Sequence, residues 1–371
     1  MDETVIKAFN LHLEFNYQKN SGITISRATQ SAALLSLVLY LREFSLYSYT
    51  ELFLKQIEAR PINENNEDRF CYSLSAGFAL GLMNLGKGST GANYNEKILN
   101  QLLVYIDTGE SPYVDRSNQY QSSNVKDASV INKQMCSPSA LVAIGLMYLK
   151  TNLVWISSQI KTPQTLHEVN NFNCFDLLVR IIIKNLIMWD DVKISWNFIK
   201  RQIPAIVEFI QFKDVYEVYQ ELGWNEAYSD LDYQNVSLIY YYCKTGCIIS
   251  MALKFAGTGN DKLRRIIFEY LEEIQRVKIN PNIFLNGAEV KGMLDEYSLN
   301  IVRTMTLVSL SIVMAGHCDS MSGQMIKDYI RSLKTNQTLK SNLYGFQQML
   351  QMALGFVYLK KGTMTFGSSD F

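Results

Sequence analysis

The sequence predicts an all-α protein, a solenoid of paired helices, and three observations carry that prediction. A segment rich in small residues and ending in a turn recurs along the chain. Most copies are followed by a segment with one apolar stripe at helical spacing. Prolines fall between such segments or at their starts, where a helix tolerates them.

The repeat is the first element to justify. FALGLMNLGKG (78–88) is matched by SALVAIGLMYLKTN (139–152), TGCIISMALKFAGTGN (245–260), TLVSLSIVMAGHCD (306–319) and MLQMALGFVYLKKG (349–362). SAALLSLVLYLREF (31–44) is a weaker copy and FDLLVRIIIKNLIMWDD (175–191) a divergent one. Aligned on the compact residue before the turn, the copies place Val38, Gly81, Gly145, Ala252, Ser311 and Gly355 in register, with Asn185 in the divergent copy. A basic spacing of about 40 residues, lengthened by insertions, marks a helical solenoid.

Each unit has two halves. The first is almost uncharged and apolar all round, so it reads as a buried helix. The second is amphipathic. In LRRIIFEYLEEIQR (263–276), Leu263, Ile266, Ile267, Tyr270, Leu271 and Ile274 form one helical face, with Arg265 and Glu269 paired on the other. Ile98, Leu99, Leu102, Leu103 and Ile106 repeat the stripe, as do Ile326, Tyr329, Ile330 and Leu333. Ser48-x-x-Glu51 reads as a capping box opening the second helix of the first unit. Pro61, Pro112, Pro138, Pro163, Pro204 and Pro281 are expected between helices or at their starts. The array reads as one domain over 1–371 with six to seven helix pairs, interrupted by a polar insertion at 107–137 and an acidic, aromatic one at 211–235.

Composition narrows the function. The chain carries 35 basic and 35 acidic residues in 371, a neutral balance that disfavours a nucleic-acid platform. The longest uncharged apolar stretches, such as 304–318, are too short to span a bilayer. The N-terminal MDETVIKAFNLHLEF carries acids where a secretory signal carries bases. Cys71, Cys136, Cys174, Cys243, Cys247 and Cys318 are scattered without a C-x-x-C pair, as buried free thiols of a reducing compartment would be. A soluble intracellular protein is expected, with neither nucleic acid nor membrane as a partner.

Gly86-Lys-Gly-Ser-Thr-Gly91 matches the dinucleotide pattern G-x-G-x-x-G, but that chemistry needs a strand before the first glycine. Here a helix precedes it. Gly86, Gly257 and Gly316 are better placed as helix-ending residues in the left-handed conformation, with Gly88 close behind the first. Ser73, Gly77 and Gly81 recur at spacing four inside a helix and make a groove for a neighbour. Asp190-Asp191 suits a helix end better than a proton-sharing pair, because adjacent helical residues point about 100° apart. Cys243 and Cys247 lie one turn apart without further ligands to complete a metal site. His317-Cys318-Asp319 sits at a turn, and His12 and His167 are isolated. No catalytic residue, cofactor or metal is expected.

The unit AGFALGLMNLGKG resembles the proteasome/cyclosome repeat, found in two proteasome regulatory subunits and in the largest-subunit family of the anaphase-promoting complex. YSLSAGFALGLMNLGKGS, CSPSALVAIGLMYLKTN, FDLLVRIIIKNLIMWDD, SIVMAG and YGFQQMLQMALGFVYLKKG resemble the latter family's repeats in the same order. The glycine is missing from the first turn, at Arg42-Glu43. The resemblance implies two helical layers curving into a partial or closed toroid. It implies a non-catalytic scaffold of a ubiquitin ligase, nuclear and cytoplasmic, with cullin, substrate-receptor-like and tetratricopeptide subunits and activator proteins as partners. A proteasome scaffold with the same repeats is the second reading, and a generic helical-repeat adaptor the third.

Overall fold

The structure is a computed structural model that describes residues 3–13, 27–41, 47–58, 66–89, 92–107, 133–212, 233–277, 293–335 and 343–360. Most of both insertions and the first turn at 42–46 lie outside the described residues, as do Pro61, Pro112 and Pro281. Among the described residues the fold is all-α, with sixteen α-helices and no strand. They fall into two compact units, the first comprising 1–161 and 186–190, the second 162–185 and 191–371.

In the first unit, α1 (Glu3–Leu13) packs on α2 (Arg27–Leu41), and α4 (Asn66–Met83) lies between α2 and α6 (Lys133–Met147). The helices α3 (Tyr47–Ile57) and α5 (Ala92–Asp107) stand behind this row. α3 packs on α4, and α5 on α6, so each second-half helix rests against the inner helix that follows it. The stripe explains why: Ile98, Leu99, Leu102 and Ile106 are buried. Leu103 is half-buried, and Tyr105 is buried in the stripe as well. The Tyr105 hydroxyl donates to Glu58 Oε1 at 2.9 Å, which satisfies a buried carboxylate. The short α7 (Val154–Gln159) completes this unit.

The second unit contains α8 (Leu166–Asn171), the first twelve residues of α9 (Cys174–Ile187), α10 (Trp196–Gln202) and α11 (Ala205–Phe212). It continues through α12 (Tyr233–Lys254), α13 (Asp261–Gln275), α14 (Glu296–Val313), α15 (Ser320–Thr335) and α16 (Leu343–Val357). α14 lies between α12 and α16, while α13 packs chiefly on α14 and α15 on α16. The predicted α13 stripe is buried at all six positions, Leu263, Ile266, Ile267, Tyr270, Leu271 and Ile274.

Several local expectations need correction. Pro138 sits inside α6, in its second turn, so the helix accepts one missing amide bond. α3 starts at Tyr47, which puts Ser48 within the first turn instead of at the cap. A capping box does occur at Thr165 and Glu168, before α8. Arg265 and Glu269 do not pair; Glu269 accepts instead from the Trp196 indole at 2.8 Å. Finally, α12 is long and apolar enough to cross a bilayer despite Lys244, but 83% of its apolar window is buried inside the fold. It is a core helix.

Candidate functional site

The repeat turns form the most regular feature of the molecule. An α-helix leaves its last carbonyls without intrahelical donors. At the ends of α6, α9, α14 and α16 the last two carbonyls are taken by the turn of the preceding repeat. Gly86 N–H donates to Leu146 O at 3.0 Å and Gly88 N–H to Met147 O at 2.9 Å. Lys150 N–H donates to Leu186 O and Asn152 N–H to Ile187 O, at 3.0 and 2.9 Å. In the second unit, Gly257 and Gly259 donate to Ile312 and Val313, and Gly316 and Cys318 to Phe356 and Val357, all at 2.8–3.1 Å. In every case the acceptors are the last two residues of an inner helix.

The first donor of each pair has positive φ: 66° at Gly86, 61° at Lys150, 67° at Gly257 and 77° at Gly316. This left-handed residue reverses the chain and turns its amide toward the neighbouring helix end. Lys150 and Lys360 (φ 67°) adopt the conformation without being glycines, so the turn does not require one. At Lys150 the side chain lies 4.4 Å over the Trp189 ring, a cation–π contact within the same unit. Asn152 and Asp190 brace the edge reciprocally, Nδ2 to Oδ2 at 2.8 Å and Asp190 N–H to Oδ1 at 3.0 Å.

The repeat glycines divide into distinct cases. A Cβ on Gly77 would lie 2.8 Å from the Ser139 carbonyl carbon and against its oxygen, so α4 and α6 touch backbone to backbone. On Gly81 it would lie 2.7 Å from Leu146 Cβ and 3.2 Å from Ala143 Cα. On Gly88 it would strike the Tyr148 ring. Gly145 is buried in α6. Gly355 has nothing within 4 Å, so close packing is not its reason among the described residues.

The residues that suggested chemistry have structural places. Asp319 caps α15, accepting from Ser322 N–H at 3.0 Å, and pairs with Arg264 at 3.0 Å. His317 contacts the Ala315 carbonyl, and Cys318 supplies a turn donor. Asp190 and Asp191 lie in a short 3₁₀ turn, Trp189–Asp191. Cys243 and Cys247 are fully buried, and burial pushes both thiols well above their ordinary range. Cys136 and Cys174 are also buried, while Cys71 is exposed and Cys318 half-buried. The side chain of His12 lies outside the described residues.

Sequence reading missed Lys244. It stands on buried α12 and donates to Glu273 Oε1 and Oε2 at 2.7 and 2.5 Å. The rings of Tyr240, Tyr270 and Trp196 stand within 5.0–5.3 Å of its ammonium. Burial lowers its pKa, and the Glu273 carboxylate opposes that shift. A lone Lys inside an otherwise apolar helix, with Glu one repeat half away, was the available signal. Missed too were Val154 and Trp155, 67% and 54% exposed, just past the bonded Asn152.

Paired helices, buried small-residue faces and turn-to-helix bonding define a helical-repeat protein. A family model described as the APC1 fifth domain matches residues 3–371, and the chain belongs to that family. Anaphase-promoting complex subunit 1 of Arabidopsis thaliana is 28% identical over 381 residues, and that of Schizosaccharomyces pombe 29% over 375. The Homo sapiens protein of the same name is 26% identical over 384 residues. Each alignment covers all of this chain, but only 22%, 22% and 18% of the respective relative. The chain spans about a fifth of the length of these relatives.

Proposed function

We propose that this chain is a non-catalytic scaffold region of the anaphase-promoting complex, organising catalytic and substrate-recruiting subunits for the degradation of cell-cycle proteins. The observation that carries the reading is the family match across 3–371. The geometry supports it: the Asp, His and Cys groups that suggested chemistry are engaged in caps, turns and core, while Val154 and Trp155 are exposed. The partners proposed are the cullin, substrate-receptor-like and tetratricopeptide subunits and activator proteins, met in nucleus and cytoplasm. Affinity purification of the full-length protein should return those subunits. Recovery of proteasome subunits without cullin or tetratricopeptide subunits would reject the reading in favour of a proteasome scaffold. Removing this region should weaken activator-dependent ubiquitin transfer and leave the RING subunit's own chemistry unchanged.

A further inference from the structure

A cleft of about 370 Å³ opens between α13 and α15 over α14, wholly within the second unit. Its walls are apolar where Leu271, Leu307 and Met325 line it, and Tyr329 stands beside them. Arg303 is the one cation among the residues lining it. A guanidinium has five N–H donors and a fixed charge, so inside a fold it needs acceptors. Arg303 has almost none. Its Nε is buried with no hydrogen-bond partner, and its Nη2 reaches the Ile274 carbonyl only at 3.4 Å. A helix-capping role would account for that one long contact and leave the rest of the fork unused.

The neighbouring polar groups do not supply the missing acceptor. Tyr329 donates its hydroxyl to Asn300 Oδ1 at 2.6 Å. Asp328 also lines the cleft, but its carboxylate is engaged by Arg331 at 3.1 Å and by Gln324 at 2.8 Å. Arg303 makes no ion pair within 4.0 Å among the described residues. The site therefore presents a half-buried cation with no ion-pair partner among the described residues, flanked by apolar walls and open to solvent between two outer helices.

We propose that this cleft receives an acidic side chain of a partner protein segment, its carboxylate on Arg303 and a neighbouring aliphatic side chain against Leu271, Leu307 and Met325. Charge complementarity selects the acid: a carboxylate matches the guanidinium fork, and the pairing strengthens where water is excluded. The volume suits one or two side chains, not a whole helix.

The test uses the full chain and two synthetic probes, N-acetyl-Leu-Glu-Leu-amide and the same tripeptide with Gln, followed by ligand-observed NMR. The Glu peptide should bind roughly tenfold more tightly than the Gln peptide, as a charge-assisted bond in a sheltered cleft predicts. Arg303→Met should erase that difference and Arg303→Lys should keep part of it. Gln275→Glu, a near-isosteric change on the cleft wall, should weaken the acidic probe severalfold without altering the thermal midpoint. Equal binding of both peptides, no detectable binding of either, or a preference unmoved by Arg303→Lys and Gln275→Glu would each overturn the proposal.

Discussion

The α4–α6 seam of the first unit and the α12–α13 seam of the second join helices by opposite means. The first works by omission. Gly77 removes a side chain so that backbones touch, and the Ser73 and Ser139 hydroxyls bond each other at 2.9 Å in the space left. The second works by filling. Tyr270, fully buried, shares a hydrogen bond with Thr245 Oγ1 and donates to Tyr241 O, both at 3.0 Å, while Lys244 spans to Glu273. Close approach leaves no tolerance for added volume. A filled polar seam tolerates volume but not the loss of one partner.

Four sets of changes test that contrast, the largest first. Gly77→Leu should cost at least about 3 kcal/mol, because the obstacle is backbone that cannot swing aside as a side chain would. Urea unfolding that shows a loss below roughly 0.5 kcal/mol, the size of a surface change, would break the account of the first seam. Lys244→Met should cost roughly 2 kcal/mol by leaving Glu273 without its partner, less than a fully buried pair because Glu273 is part-solvated. Adding Glu273→Leu should restore most of the loss. A double mutant as unstable as the single would show that the pair is not the reason.

Buried phenols, one of them Tyr241 on the α12 side of the filled seam, also make the second unit sensitive to alkali. Burial pushes the phenols of Tyr241, Tyr242 and Tyr329 up to about 12. Their folded values lie above the unfolded one, so the stability they contribute is full below pH 10 and is lost as pH rises through 12. Each contributes a slope approaching about 1.4 kcal/mol per pH unit in that window. Lys244 acts in the opposite sense, since its depressed value means stability rises as pH climbs through it toward the ordinary lysine value. Denaturation midpoints should therefore fall steeply between pH 10 and 12, and less steeply in Tyr241→Phe. An unchanged slope in that variant would remove Tyr241 from the explanation.

At the small end, Gly257→Ala isolates conformation from space, because nothing lies within 4 Å of the added Cβ while φ is 67°. It should cost about 1–2 kcal/mol. Glu272→Lys, which breaks an exposed pair with Arg276, should stay within roughly 0.5 kcal/mol. Equal midpoints for the two would mean that the turn conformation carries no strain.

The helices themselves were legible in the residues. A stripe at Leu263, Ile266, Ile267, Tyr270, Leu271 and Ile274 has one low-energy outcome in water, an amphipathic helix with that face covered, and all six are buried. The glycine turns at Gly86, Gly257 and Gly316 were legible for a similar reason, since only the backbone at those positions had to be guessed. Partner choice was not. That each outer helix leans on the next inner helix, that turn amides bond the next helix's last carbonyls, and that Glu269 takes the Trp196 indole instead of Arg265 are all decided by contacts many residues apart. The same holds for the cleft at Arg303. Local periodicity determines which face of a helix must leave water. Only the packed structure decides which groups meet there, because hydrogen bonds and charges act through space and are indifferent to sequence distance.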